Sequence, residues 1–139
     1  MKNGRRKKRI IIGAAILLAT CAVLYFANPE LRVRRFVAAH GEEIEESMAA
    51  GHGISARIGI KYFNTWEGEH DMTEFILFTM GDTYYGCYYS PDDVPLAFQN
   101  TDMELSQDGH DYWEWQAEGD NHGATEKIRD HWYYFEASF

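Results

Sequence analysis

Four groups of residues in this chain have types and spacings that could do chemistry. In NTWEGEH (64–70), Glu67 and Glu69 flank a glycine beside Trp66. Two residues apart on a strand, such carboxylates share a face about 7 Å apart, a separation compatible with a glycosidase acid pair. In YYGCYYSPDDVP (84–95), Cys87 precedes the adjacent acids Asp92 and Asp93. A thiol nucleophile needs a neighbouring base, and no histidine is close in sequence. Histidines stand beside acids in EHD (69–71), GHD (109–111), DNHG (120–123) and RDH (129–131), pairs that could ligate a divalent cation. The aromatic residues Trp66, Trp113, Trp115 and Trp132, with most of the tyrosines, could present a face for a sugar or a protein.

Each group also has a plainer reading. Acids around a glycine at a loop tip are ordinarily solvated. Ser90-Pro91-Asp92-Asp93 has the order of a helix cap, and adjacent residues on a helical turn diverge by about 100°, so the two aspartates do not converge. His, Asp, Asn and Gly are common turn residues, and no His-x-His, His-x-x-x-His or Asp-x-Asp-x-Asp-Gly pattern occurs. No catalytic residue, metal ligand or cofactor is therefore assigned. The residues retained as candidates for binding a partner are Trp66, Glu67, Glu69 and Trp132.

The elements that must position them follow from patterning. RRKKRIIIGAAILLATCAVLYFANPE opens with a basic block and continues with 18 uncharged residues, Ile10 to Ala27. As a helix that run measures about 27 Å, close to the hydrocarbon thickness of a bilayer. Six basic residues before it predict a cytoplasmic N-terminus (1–9), a transmembrane anchor (10–27) and an exported domain (28–139). Thr20-Cys21-Ala22 offers a cleavage site and Leu18–Cys21 a lipobox, but the apolar run continues through Phe26, past both. An uncleaved single-pass anchor in the cell membrane is expected.

All 22 acidic residues follow residue 29, against seven basic ones, so residues 30–139 carry a net −15. Such a domain is repelled by nucleic acid and by anionic lipid; a protein or a cell-envelope glycan remains a fitting partner. Cys87 has no partner thiol within that domain, since Cys21 lies in the apolar run.

Within the exported part, Asn28-Pro29-Glu30 predicts a helix start and Gly51-His52-Gly53 its end, with Val33, Val37, His40, Ile44 and Met48 on one face. Period-two alternation predicts strands over 54–62, 72–80, 83–89, 102–107, 111–117, 124–129 and 131–138. Gly81-Asp82 as a two-residue loop pairs Tyr85 with Phe78 and Cys87 with Ile76, burying an inert thiol. A strict two-residue loop at Asp108-Gly109 would place Trp113 opposite Glu104 and Trp115 opposite Asp102, a face of the kind that binds sugars. A bulged turn at Gly109, which agrees with the burial pattern, places Trp113 opposite Met103 and Trp115 with Leu105, in the core. The expected class is α+β: an amphipathic helix on an antiparallel meander of six or seven strands.

The stretches WEGEHDMTEF, YYGCYYSPDDVP and GDNHGATEKIRDHWYYFEASF resemble an uncharacterised group of short bacterial single-pass membrane proteins with a small exported domain. The resemblance implies that topology. It implies no activity or site residues. Three functions are compatible with these features: a binding or interaction module, a small envelope hydrolase using Glu67, Glu69 or a loop histidine, and a passive subunit of a membrane complex.

Overall fold

The structure is a computed structural model that describes residues 2–52, 54 and 59–139, with side chains from Ile10 onward. It divides into two units, Met1–Arg32 and Val33–Phe139. Helix α1 runs Lys2–Phe26, and its apolar side chains, among them Ile10, Ile16, Leu18, Val23 and Phe26, are exposed. Among the described residues no single helix is long and apolar enough to cross a membrane.

Helix α2 spans Pro29–Ala49. Asn28 caps it, its Oδ1 accepting the Leu31 N–H at 2.9 Å. At the other end the His52 N–H reaches the Ser47 carbonyl, with Gly51 at φ +66°, the left-handed geometry a helix terminus of this kind requires. Both ends fall where the sequence places them. The buried face is Val33, Phe36, Val37, Gly41 and Ile44; His40 and Met48 are only half-buried.

Seven strands follow: β1 (Tyr62–Trp66), β2 (Met72–Met80), β3 (Thr83–Tyr89), β4 (Ser106–Gln107), β5 (Tyr112–Gln116), β6 (His122–Arg129) and β7 (Trp132–Ser138). They form one antiparallel sheet in the order β1-β2-β3-β7-β6-β5-β4. The fold is thus α+β, but the sheet departs from a simple meander. Strand β7, buried along most of its length, takes the central place beside β3, while the short, polar and exposed β4 goes to the edge. Of the strand expected over 54–62, residues 55–58 lie outside the described residues, 54 and 59–61 are not in a strand, and only the last residue, Tyr62, joins β1.

The two faces of the sheet hold separate cores. On one, α2 packs Val33, Phe36, Val37 and Ile44 against Phe75, Cys87, Trp132 and Tyr134. On the other, the chain between β3 and β4 lies across Met72, Ile76, Tyr88, Trp115, Tyr133 and Phe135, inserting Ala97 and Phe98. This connection, residues 91–105, has a turn at Phe98–Asn100 and otherwise no regular structure. It acts as a strap.

Register departs from expectation in two places. The Gly81-Asp82 hairpin pairs Met80 with Thr83 and Phe78 with Tyr85 as predicted, but a bulge at Leu77 then sets Cys87 opposite Phe75 and Gly86 opposite Ile76. The turn after β4 sits two residues later than expected: Asp108 N–H bonds the Tyr112 carbonyl, so Gln107, not Met103, faces Trp113. The parity is unchanged, so both tryptophans still point to the strap-side core. Trp115 is buried and Trp113 half-buried, packed with Met103 and Leu105. Trp115 lies flat against Gly123, where a Cβ would collide with the indole.

Candidate functional site

The structure disperses the candidates named from sequence. Cys87 is fully buried, and burial first, then the charge of Glu74, pushes its thiol well above the ordinary range. That is the environment of an inert thiol. Trp132 is also fully buried; its Nε1–H donates to Glu45 Oε1 at 2.6 Å, tying β7 to α2. A residue with no exposed surface offers nothing to a partner, which corrects its assignment as a binding residue. Glu67 and Glu69 are exposed in the β1–β2 connection, and Trp66 is half-buried against the strap-side core. His70 pairs with Asp92 at 2.8 Å rather than with either glutamate.

Asp92 and Asp93 diverge, but they cap no helix. Asp93 sits in a tight turn with φ +55° and binds three partners. Its carboxylate accepts Lys127 Nζ at 2.6 Å and the His131 N–H at 2.8 Å, and its carbonyl and carboxylate accept the Tyr133 hydroxyl. Burial opposes the Asp93 charge, yet Lys127, His131 and Tyr133 together hold its pKa below the usual range. The pair secures the start of the strap to β6 and β7. Among the described residues no group of three or more His, Cys, Asp or Glu is placed to hold a metal ion.

A groove of about 460 Å³ lies elsewhere, over β4, β5, β6 and β7. Register builds it. Ser106 pairs with Glu114, Glu114 with Ala124, and Ala124 with Glu136, so one row of side chains crosses four strands on one face. Ala124 is a small floor between two carboxylates. The next row, Gln116, His122 and Ser138, extends it, and Glu104 and Tyr112 close its sides. This is the face that α2 covers further along β7.

The groove carries oriented polar groups. The Tyr112 hydroxyl donates to Glu114 Oε1 at 3.1 Å, and the Tyr134 hydroxyl donates to Glu136 Oε2 at 2.8 Å. Desolvation and then the Glu114 carboxylate push the Tyr112 phenol up to about 12, so it stays a neutral donor at physiological pH. His122 Nδ1 lies 2.7 Å from the Asp120 carbonyl and so carries the proton, leaving Nε2 as the acceptor of the neutral ring. Among the described residues, three carboxylates and no lysine or arginine line the recess. Its chemistry is that of an acceptor for cationic or hydroxyl-rich groups.

His122 and Trp115 belonged to groups weighed from sequence, but no groove residue was retained there as a partner-binding candidate. A signal was present: Tyr112-x-Glu114 and Tyr134-x-Glu136 repeat one pattern, and residues two apart share a strand face. What joins the two copies is β6, and that requires the pairing. Compared with known proteins, the chain matches no protein family, no curated protein and no solved structure.

Proposed function

We propose that this protein is a membrane-anchored, extracytoplasmic binding module whose groove receives a positively charged group from a protein partner or an amine-bearing envelope glycan. The observation that carries the reading is the recess of about 460 Å³ floored by Ala124 and walled by Glu104, Glu114 and Glu136. An ammonium or guanidinium placed there would meet carboxylate acceptors. The net −15 of residues 30–139 would draw such a group from a distance, in a salt-dependent manner.

The anchor rests on residues 10–27, uncharged and preceded by six basic residues. Exposed apolar side chains along α1 suit a lipid environment. The positive block sets the N-terminus in the cytoplasm and residues 28–139 outside. A hydrolase built on Glu67 or Glu69 has less support: His70 is engaged with Asp92, and the groove lies on the far side of β3 from that loop.

A photocrosslinking residue at Gln116, inside the groove, should capture a partner in intact cells, while one at the exposed hairpin residue Asp82 should not. Capture should disappear in the Glu114→Gln/Glu136→Gln double variant. Equal capture from Asp82, or capture indifferent to the two glutamates, would remove the groove from the function. Protease treatment of protoplasts should destroy a C-terminal tag, and its survival in sealed cells would overturn the orientation.

A further inference from the structure

The two edges of the sheet are built differently. Strand β4 is two residues long and polar, an edge too short to template another strand. Strand β1 is five residues long, Tyr-Phe-Asn-Thr-Trp, with no charge and no proline. Tyr62 and Phe63 are 58% and 44% exposed, although Phe63 stacks on Phe75 at 6.3 Å. Among the described residues nothing pairs with the outer side of β1.

The hydrogen-bond alternation shows which backbone groups that side presents. Ser90 N–H donates to the His131 carbonyl, so the even-numbered residues of β3 face β7 and Cys87 and Tyr89 face β2. Their partners Phe75 and Thr73 then face β3, leaving Met72 and Glu74 turned to β1. Opposite these, Trp66 and Asn64 turn inward, so Phe63 and Thr65 point their N–H and C=O groups outward.

We propose that β1 pairs antiparallel with β1 of a second copy, about a two-fold axis at Asn64, joining two sheets into one. This surface is independent of the groove and its ligand. In that register Phe63 meets Thr65 of the second copy, and Thr65 meets its Phe63, exchanging about four main-chain hydrogen bonds. Tyr62 lies across from Trp66, and the two Asn64 residues face each other on the axis. Beyond the strand ends, Lys61 falls opposite Glu67 and Glu67 opposite Lys61. Both residues are exposed. Charge complementarity selects this arrangement: the domain is acidic overall, yet the β1 edge carries one basic and one acidic residue in positions that a two-fold axis brings together. The register also uses every residue of β1 and covers the exposed Tyr62 and Phe63.

The full-length chain in detergent, with Cys21→Ser to remove the exposed native thiol, tests this. Asn64→Cys should form an intermolecular disulfide readily, because facing residues of a non-hydrogen-bonded pair lie about 4.5 Å apart at Cα, within disulfide reach. Asp108→Cys, in the exposed turn after β4, should not. Lys61→Glu or Glu67→Lys alone creates two like-charge contacts and should weaken the dimer about tenfold, measured by light scattering. The double reversal should restore it. Thr65→Pro removes an outward N–H, spares the bonds to β2, and should give a monomer with an unchanged near-ultraviolet spectrum. A monomeric parent chain, Asn64→Cys crosslinking no faster than Asp108→Cys, or a double reversal as weak as the single ones would each overturn the proposal.

Discussion

The two faces of the sheet solve the same burial problem by different means. On one face α2 satisfies its own backbone internally, so its contacts with Phe75, Cys87 and Tyr134 are apolar. On the other face an irregular strap must bring unpaired N–H and C=O groups against a core. Each buried group of that kind needs a partner. The buried polar residues Glu74, Ser90 and Thr125 all serve this side. Ser90 Oγ accepts the Val94 N–H, and Glu74 Oε1 accepts the Gln99 N–H at 3.0 Å. The Leu96 N–H donates to the Tyr88 hydroxyl, Tyr88 donates to Thr125, and Thr125 donates to the Tyr134 carbonyl. That chain has one direction only, because Thr125 spends its single proton on a carbonyl. Irregular backbone needs side-chain pins for its own N–H groups; the helix needs none there and is held by apolar packing together with side-chain bonds such as Trp132 to Glu45.

Glu74 shows the strain in this arrangement. Burial raises its pKa, opposed by the Gln99 N–H and by the Trp66 N–H, which acts on the carboxylate without reaching hydrogen-bond geometry. The turn that Glu74 holds contains Gln99 and Asn100 at φ +56° and +52°, a left-handed pair uncommon for residues other than glycine. A buried carboxylate is tolerated because it fixes a turn that the backbone does not favour.

The contrast predicts unequal responses to substitution, and the largest belongs to the helix side. Trp132→Ala removes a fully buried indole that touches Phe75 and Tyr89 and holds Glu45. It should cost about 3–5 kcal/mol, as loss of a large buried aromatic does. The loss should be global, with α2 and sheet melting together in circular dichroism. A loss under 1 kcal/mol would show that α2 is not anchored through this residue.

The next effect separates the faces. Tyr88→Phe keeps the ring stacked on Tyr133 but deletes one hydroxyl, leaving the Leu96 N–H without its acceptor. The expected cost is about 1–3 kcal/mol, the penalty for stranding a buried donor. Hydrogen exchange should accelerate at residues 94–100 more than in α2. Uniform acceleration would mean that strap and helix open as one unit.

This division also explains which parts of the molecule can be read from the chain. Helix α2 announces itself through Asn28, Gly51 and the spacing of Val33, Val37 and Ile44, all local signals. The β2–β3 hairpin does so through Gly81-Asp82. The strap has no period, and its pins lie 4 to 40 residues away in sequence, from Ser90–Val94 to Asp93–Tyr133. The placement of β7 beside β3 is equally non-local, and it is what brings Glu136 into the groove with Glu114. The Leu77 bulge moved Cys87 by one position without exposing it, because its new neighbour Phe75 is apolar too. Burial survived an error in register. The groove could not be inferred, because it exists only through pairing across four strands.

The smallest effect tests the strap's first pin by its charge. Asp93→Asn keeps a residue type that tolerates φ +55° and still offers an oxygen to the His131 N–H, but it loses the attraction of Lys127. At neutral pH it should cost about 1 kcal/mol. The sign of its pH dependence follows from the direction of the shifts. Asp93 is held below its ordinary value despite burial, so its contribution is present above the ordinary carboxylate range and fades as pH falls through the lowered folded value. Lys127 is raised, first by its hydrogen bond to Asp93, so the same contribution persists up to the ordinary lysine range and is lost as pH rises through the raised folded value. The parent and the variant should therefore differ in denaturant midpoint between those limits and converge outside them. A difference that persists unchanged into strong acid would place the effect in the turn geometry rather than in the ion pair, and the strap's first pin would then be Ser90.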